Sequence, residues 1–219
     1  MEIICSITWG LLVFAVMTIT MKYYIPKLNK DFGTSESVPL TNFKLILFIC
    51  VCISALCGYS AAIYAASILG MFRMTLAMGV FSCICITDLL LMIIPNLCSI
   101  ILIFGAAITI ICEFIVDKEQ AVMWLVNGMI AAISILIVLV IVSKLSHDGL
   151  GMGDVKLFSS FGLLCGIRAV CFTLLFAFLV CAVVSTGLLI MKKKQLQDSL
   201  PLGPFIWIGY GITIILSII

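Results

Sequence analysis

Two aspartates lie within strongly apolar sequence, and their chemistry is the first feature of this chain that needs an explanation. Asp88 precedes the apolar run Leu89 to Ile94, and Asp154 follows a Gly-Met-Gly tripeptide that begins at Gly151. Placing a charged carboxylate in hydrocarbon costs about 2.5 kcal/mol or more, so an acid in such a position is by default a candidate functional residue. Two such acids suggest acid and base catalysis.

A pair of carboxyl groups can hydrolyse a peptide bond when one accepts a proton from water and the other donates a proton to the substrate. Two like charges at close range do not both ionise readily, so such a pair shares one proton and titrates as a unit. Gly151 and Gly153 suit this chemistry, since residues without side chains let an extended substrate approach. The structural alternatives are that Asp154 caps a helix and that Asp88 pairs with a lysine such as Lys156.

The composition indicates a polytopic membrane protein. Of the 219 residues 64% are hydrophobic and 10% are charged, with a mean hydropathy of +1.38, which the surface of a soluble domain would not tolerate. A net charge of +2 gives no reason to expect a nucleic-acid partner. The 11 cysteines fall singly or as Cys-x-Cys in apolar runs, so we interpret them as buried thiols and predict no metal site.

The length of the apolar runs predicts about eight membrane spans, because a helix needs about 20 apolar residues to cross a bilayer core. Residues 45–94 and 155–191 are each too long for one crossing, so we place a turn at Gly70 to Arg73 and a break near Gly166. The sixth and eighth spans are short, and a re-entrant segment is an alternative for the sixth. The predicted spans are 3–21, two within 45–94, 97–116, 121–143, 155–166, 169–191 and 205–218.

We therefore predict an all-α, polytopic integral membrane helix bundle with its N-terminus outside. This orientation places most of the basic residues in cytoplasmic loops, as the positive-inside rule requires. The inner set is Lys22, Lys27, Lys30, Lys44, Lys144, Lys156, Lys192, Lys193 and Lys194, and the outer set is Arg73, Lys118 and Arg168. Both candidate acids then fall in the cytoplasmic half of the bilayer.

Three segments together resemble the successive signatures of the type IV prepilin peptidases, which are GxGD membrane aspartyl proteases related to the archaeal preflagellin peptidases. The segments are Thr87-Asp88 with Ile94-Pro95-Asn96, then Gly151-Met152-Gly153-Asp154-Val155-Lys156-Leu157, and then Leu200-Pro201-Leu202-Gly203-Pro204-Phe205. Their order, spacing and positions relative to the spans agree with that family over roughly residues 70–219.

The resemblance implies cleavage of the basic leader of prepilin or pseudopilin precursors at the cytoplasmic face of the plasma membrane, with Asp88 and Asp154 as the catalytic pair and no cofactor. It implies roles in supporting the substrate or the backbone for Gly151, Gly153, Lys156, Pro95, Pro201, Gly203 and Pro204. Residues 1–44 then form a first span and a short cytoplasmic loop, and residues 45–219 form the peptidase membrane domain.

One departure from the family narrows the expected activity. Bifunctional members carry zinc-binding Cys-x-x-Cys pairs in a cytoplasmic insertion and also methylate the new amino terminus, whereas the loop 22–44 contains no cysteine. We therefore expect cleavage without zinc and see no ground for methyl transfer.

Two other hypotheses compete with a peptidase. A proton- or cation-coupled transporter would use the same acids and show internal repeats, and a non-catalytic assembly scaffold would tolerate Asp88→Asn.

Overall fold

The computed structural model describes residues 67–145, 151–191 and 201–216, and all regular structure in these ranges is helical. The helices are α1 (Ile68–Leu91), α2 (Asn96–Val116), α3 (Lys118–Leu145), α4 (Met152–Ile190) and α5 (Gly203–Ile215). The first four are long and apolar enough to cross a membrane, and α5 is a shorter apolar helix.

The predicted all-α membrane class is confirmed for the part of the chain that the structure describes. The first span, the loop 22–44 and the outward orientation of the N-terminus lie outside these residues. Helices α2 to α5 all begin slightly earlier than predicted, at Asn96, Lys118, Met152 and Gly203. Asp154 therefore belongs to a helix and does not precede one.

The core of the bundle forms around α1 and α5. The rings of Phe81, Phe161 and Tyr210 meet edge to face there, with centroids 4.9, 5.1 and 5.2 Å apart, the geometry that aromatic quadrupoles favour. Helices α2 and α3 instead direct large apolar side chains outward, for example Ile115 with 81% exposure and Met123 with 71%. These outward faces are suited to lipid, whereas α1 is mostly enclosed by protein.

Two side-chain hydrogen bonds fix the position of α5 against α1. Tyr210 donates its hydroxyl proton to Met74 O at 3.0 Å, and the indole nitrogen of Trp207 donates to Ser82 Oγ at 2.9 Å. Buried donors need protein partners where water is excluded, so these bonds define the register of the two helices. The residue number rises along α5 as it falls along α1, so the helices are antiparallel.

Arg73 lies inside α1, and this corrects the turn predicted at Gly70 to Arg73. Helix α1 begins at Ile68 after Ser67, whose hydroxyl oxygen accepts a hydrogen bond from Gly70 N at 3.0 Å. Arg73 is 3% exposed, and its Nη2 lies 2.6 Å from Glu113 Oε2 on α2. The prediction was wrong because the acid on the neighbouring helix neutralises the charge that was taken to mark a turn.

Helix α4 is interrupted at Gly166, which confirms the predicted break. Gly166 has φ 82° and ψ 175°, which is not a helical conformation. Before the break, Phe161 packs against Tyr210, and after it the backbone of Ala177 lies against Gly209, where an added Cβ would be 2.6 Å from Ala177 N. In a straight helix Phe161 and Ala177 would lie about 24 Å apart along the axis. Both halves of α4 reach adjacent residues of α5, so the chain turns back at Gly166.

Candidate active site

Helix ends from separate parts of the sequence meet on one side of the bundle. The last turn of α1 contacts the start of α5, where Gly203 N lies 2.6 Å from Asp88 Oδ2. The start of α4 contacts the link between α1 and α2, since a Cβ added to Gly153 would lie 3.3 Å from Ile94 Cβ. Asp88 and Asp154 are close enough for their charges to interact. The structure therefore brings the two sequence-predicted acids together.

Asp88 is held by two different parts of the chain. Its side chain is 6% exposed, and its Oδ2 accepts the hydrogen bond from Gly203 N, while the Leu202 backbone amide also interacts with the carboxyl group. Its main-chain oxygen accepts a hydrogen bond of 2.9 Å from Met92 N, where a left-handed φ of 52° ends α1. The end of α1 and the start of α5 thus fix the position of Asp88.

Asp154 lies in the first turn of α4, three residues after the N-cap residue Gly151. Its backbone N–H donates to Gly151 O at 3.0 Å. Its side-chain Oδ1 is buried and has no hydrogen-bond partner among the described residues. The two acids therefore differ in their surroundings, because a backbone amide contacts one carboxyl group and no such donor contacts Oδ1 of the other.

Gly203 is required by the close approach of α5 to α1. A Cβ at this position would lie 2.8 Å from Asp88 Cβ and 3.0 Å from Ile84 O, and real Cβ atoms essentially never come as close as the first of these distances. The start of α5 could not present its amide to Asp88 at this distance with a side chain between them. Gly203 therefore belongs to the site through its backbone.

The two glycines of the Gly-Met-Gly-Asp segment are less constrained. A Cβ added to Gly153 would be in tight contact with Ile94, and one added to Gly151 would make an ordinary contact of 3.4 Å with Asp154 Oδ2. Gly153 thus lets α4 approach the link between α1 and α2. Gly151 is exposed beside the acid and leaves room for a substrate backbone.

The prolines and the lysine of the predicted site lie at its edge. Pro95 is buried as the N-cap residue of α2, and Pro204 lies in the first turn of α5, where a helix needs no N–H from that residue. Pro201 is half-buried in the segment that leads into α5. Lys156 is exposed, and within the described ranges it makes no ion pair with either acid. The structural alternative in which Asp88 pairs with Lys156 therefore has no support among the described residues.

A second buried charged group, which the sequence analysis missed, lies near the opposite end of α1. The ion pair between Arg73 and Glu113 is about as buried as the core, and the guanidinium carbon lies 4.1 Å from the ring centroid of Trp124 on α3. Cys165 Sγ, just before the break in α4, donates to Arg73 O at 3.9 Å. Glu113 is an acid in an apolar run, so the rule that singled out Asp88 applies to it equally.

The donor set near the two acids does not resemble a metal site. Among residues 67–145, 151–191 and 201–216, no three His, Cys, Asp or Glu side chains are grouped as metal ligands. What the arrangement offers is a pair of neighbouring carboxyl groups. When one is ionised and the other protonated, such a pair can take a proton from water and give one to an amide.

Comparison with known proteins gives a relative and a family match. The Bacillus subtilis (strain 168) protein named "Prepilin leader peptidase/N-methyltransferase" is 27% identical over 127 residues, which are 58% of this chain and 48% of that protein. The chain thus spans about half the length of this relative. No solved structure gives a significant match. Residues 74–186, more than half of the chain and including both acids, match the Type IV leader peptidase family, to which the chain therefore belongs.

Proposed function

We propose that this chain is a membrane aspartyl endopeptidase that removes the leader peptide of type IV prepilin or pseudopilin precursors. One observation carries the proposal: two acids in separate apolar helices, Asp88 in α1 and Asp154 in α4, interact where several helix ends meet. Burying two carboxyl groups whose charges interact is costly, so a catalytic use explains their position better than a structural one. Membership of the leader peptidase family supports prepilin precursors as the substrates.

In the proposed reaction a carboxylate accepts a proton from water, and the water oxygen bonds to the carbonyl carbon of the scissile peptide. The other carboxyl group donates its proton to the amide nitrogen as the carbon–nitrogen bond breaks. Asp88 and Asp154 supply both groups, so cleavage needs no cofactor. Methyl transfer to the new amino terminus appears in the name of the Bacillus subtilis relative and is not part of this proposal.

Exposed apolar side chains surround the proposed site. Met92 is 58% exposed, Leu97 50% and Met152 59%, and they lie at the ends of α1, α2 and α4 that approach the two acids. A precursor with a hydrophobic helix next to its cleavage site could bury that helix against these side chains within the membrane. The proposed cytoplasmic position of the site would then let the basic leader remain in water.

Substitution of either acid tests the proposal. The full chain would be co-expressed with a candidate prepilin, and we expect Asp88→Asn and Asp154→Asn each to reduce leader removal by about 100-fold or more, the usual contribution of acid and base catalysis. Asp117→Asn is the matched control, because Asp117 is an exposed acid between α2 and α3 that accepts a hydrogen bond from Glu119 N. Product size on gels and the intact mass of the mature amino terminus are the measurements.

Continued cleavage by either Asn variant would exclude the paired mechanism. The competing proposal is a proton- or cation-coupled transporter, for which Asp88 and Asp154 would bind the driving ion near the middle of the bundle. Both acids lie at helix ends instead, which does not favour transport. Substrate flux that the same substitutions abolish, in a chain that cleaves no precursor, would reverse this ranking.

A further inference from the structure

We infer that the two acids have fixed and different roles: Asp88 is the ionised carboxylate that accepts a proton from water, and Asp154 carries the proton that is donated to the substrate. The chemical meaning of these roles rests on the proposed function. The assignment itself rests on the hydrogen bond to Asp88 Oδ2 and on the buried, unpaired Oδ1 of Asp154, and the protonation state can be measured without any substrate.

Helix dipoles do not distinguish the two acids. Asp88 contacts the first residue of α5, and Asp154 lies in the first turn of α4, so each carboxyl group is near a helix N-terminus. A helix N-terminus favours a negative charge in both cases. The difference between Asp88 and Asp154 must therefore come from direct contacts.

A backbone amide hydrogen bond distinguishes Asp88. Gly203 N donates to Asp88 Oδ2 at 2.6 Å, and the Leu202 amide also interacts with this carboxyl group. An N–H group can only donate a hydrogen bond, so the carboxyl oxygen that it contacts must accept. The proton that the two acids share therefore does not lie between this oxygen and the amide. Such bonds are strongest when the acceptor is charged. The start of α5 therefore stabilises the ionised form of Asp88.

Asp154 is half-buried and differs from Asp88 in its hydrogen bonding. Its Oδ1 is buried, and no donor among the described residues contacts it. A buried carboxylate oxygen without a donor is costly, whereas a protonated carboxyl group is neutral and keeps an O–H that can be donated. The neighbouring charge of Asp88 also opposes a second negative charge at this position.

No basic group in the described ranges reverses this assignment. Lys144 and Lys156 are exposed, and the buried ion pair joins Arg73 to Glu113 near the other end of α1. The two carboxyl groups therefore share one proton, which resides on Asp154. In the catalytic cycle Asp88 gains a proton from water and Asp154 loses one to the leaving amine. Transfer of the proton from Asp88 back to Asp154 then restores the starting state.

Infrared spectroscopy of the full chain in lipid nanodiscs at neutral pH, without substrate, tests this inference. A protonated carboxyl group has a C=O stretching band above the amide I band, and labelling the carboxyl carbon of aspartate with ¹³C shifts that band only if an aspartate carries the proton. We expect one such band in the parent chain and its loss in Asp154→Asn. Asp117→Asn, the matched control, should retain it.

A conservative variant separates protonation from misfolding. Asp154→Glu keeps an acid at this position, so with labelled aspartate the shifted band should be lost while an unshifted glutamate band appears. Circular dichroism and elution as a single species show that each variant is folded. A labelled band that persists in both Asp154 variants would place the proton elsewhere and overturn the inference, as would a parent chain without the band.

The outcome does not depend on peptidase activity. If the labelled band belongs to Asp154 and no prepilin is cleaved, the protonation assignment stands and the proposed substrate is wrong. If prepilin is cleaved and the band does not belong to Asp154, the proposed function stands and the assignment of roles fails.

Discussion

At the scale of single residues, Gly203 contributes to the candidate site through its backbone alone. Its amide holds Asp88, and a Cβ would collide with the same aspartate at 2.8 Å. The absence of a side chain therefore lets α5 come near enough for the hydrogen bond. Displacing reacting groups by about 1 Å can lower a catalytic rate by about 100-fold, so this position should be sensitive in activity.

We expect Gly203→Ala to lower kcat for leader removal by about 10- to 100-fold with little change in KM, because the added methyl group pushes the amide away from Asp88. Gly79→Ala is the matched control on α1, since a Cβ there meets no atom within 4 Å. Initial rates over a range of prepilin concentrations measure both parameters. A Gly203→Ala chain that cleaves at the parental rate would show that this amide is dispensable.

Part of the candidate site could be predicted from single residues and part could not. Asp88 and Asp154 stand out because an acid in apolar sequence is expensive. The hydrogen bond from Gly203 to Asp88 joins residues 115 positions apart, and no local pattern encodes such a contact. Lys156 is the reverse case, a residue that was predicted for the site from a local motif. Its position two residues after Asp154 on a helix puts its side chain at the exposed surface.

At the scale of helices, the ion pair between Arg73 and Glu113 joins α1 to α2 where water is excluded. Its two members are 3% exposed in each case, so removing one partner leaves an isolated charge in the core. Breaking a buried pair in this way costs about 3–5 kcal/mol, whereas replacing both partners with apolar residues of similar size is often nearly neutral.

We therefore expect Arg73→Met to destabilise the chain strongly and the double variant Arg73→Met with Glu113→Leu to recover most of the loss. Thermal unfolding in detergent, followed by circular dichroism, gives the comparison. The recovery should be incomplete, because the contact between the guanidinium and the Trp124 ring is also lost. If the double variant is less stable than Arg73→Met alone, the pair does not act as a unit.

The break in α4 at Gly166 leads to a second prediction at the scale of helices. Gly166 has φ 82° with ψ 175°, a region that is essentially reserved for glycine, and an added Cβ would lie 2.7 Å from Asn127 Nδ2. We expect Gly166→Ala to lower the free energy of unfolding by about 1–3 kcal/mol. Gly187→Ala in the same helix should be neutral or slightly stabilising, since nothing lies within 4 Å of its Cβ. Equal unfolding midpoints for the two variants would contradict this.

The helices themselves were largely predictable, and the exceptions have a physical cause. Length and hydropathy predicted helices over most of the residues that α2, α3 and α5 occupy, and glycines in an overlong run predicted the break at Gly166. The turn at Gly70 to Arg73 was wrong, because a charge marks a helix end only if it remains unpaired. Its partner Glu113 lies on another helix, so only the tertiary structure shows that Arg73 is compatible with the helix interior.

At the scale of the whole molecule, the distribution of basic residues predicts which side of the membrane the site of the two acids faces. Lys144 and Lys156 flank the connection between α3 and α4 at the end where Asp154 lies, and Lys118 follows the Asp117 link between α2 and α3 at the other end. In the sequence, Lys192, Lys193 and Lys194 also precede α5, whose first residue contacts Asp88. The positive-inside rule then predicts that the acids lie on the cytoplasmic side.

Reporter fusions in a bacterial host check this orientation. We expect alkaline phosphatase, which needs the oxidising periplasm to fold, to be active when fused after Asp117 and inactive when fused between Leu145 and Gly151. A fluorescent protein that folds in the cytoplasm should give the opposite pattern. The reverse result would place the two acids on the outer face, where a cytoplasmic leader could not reach them.

The antiparallel docking of α5 on α1 also has a consequence for how the protein is made. The ribosome adds Gly203 115 residues after Asp88, when α1 and α4 have already been synthesised. Both acids are therefore synthesised before the amide that holds Asp88. A partly synthesised chain carries both acids but lacks the contact that orients the pair. If the chain is a peptidase, we therefore expect it to cleave efficiently only after α5 has been made and has docked on α1.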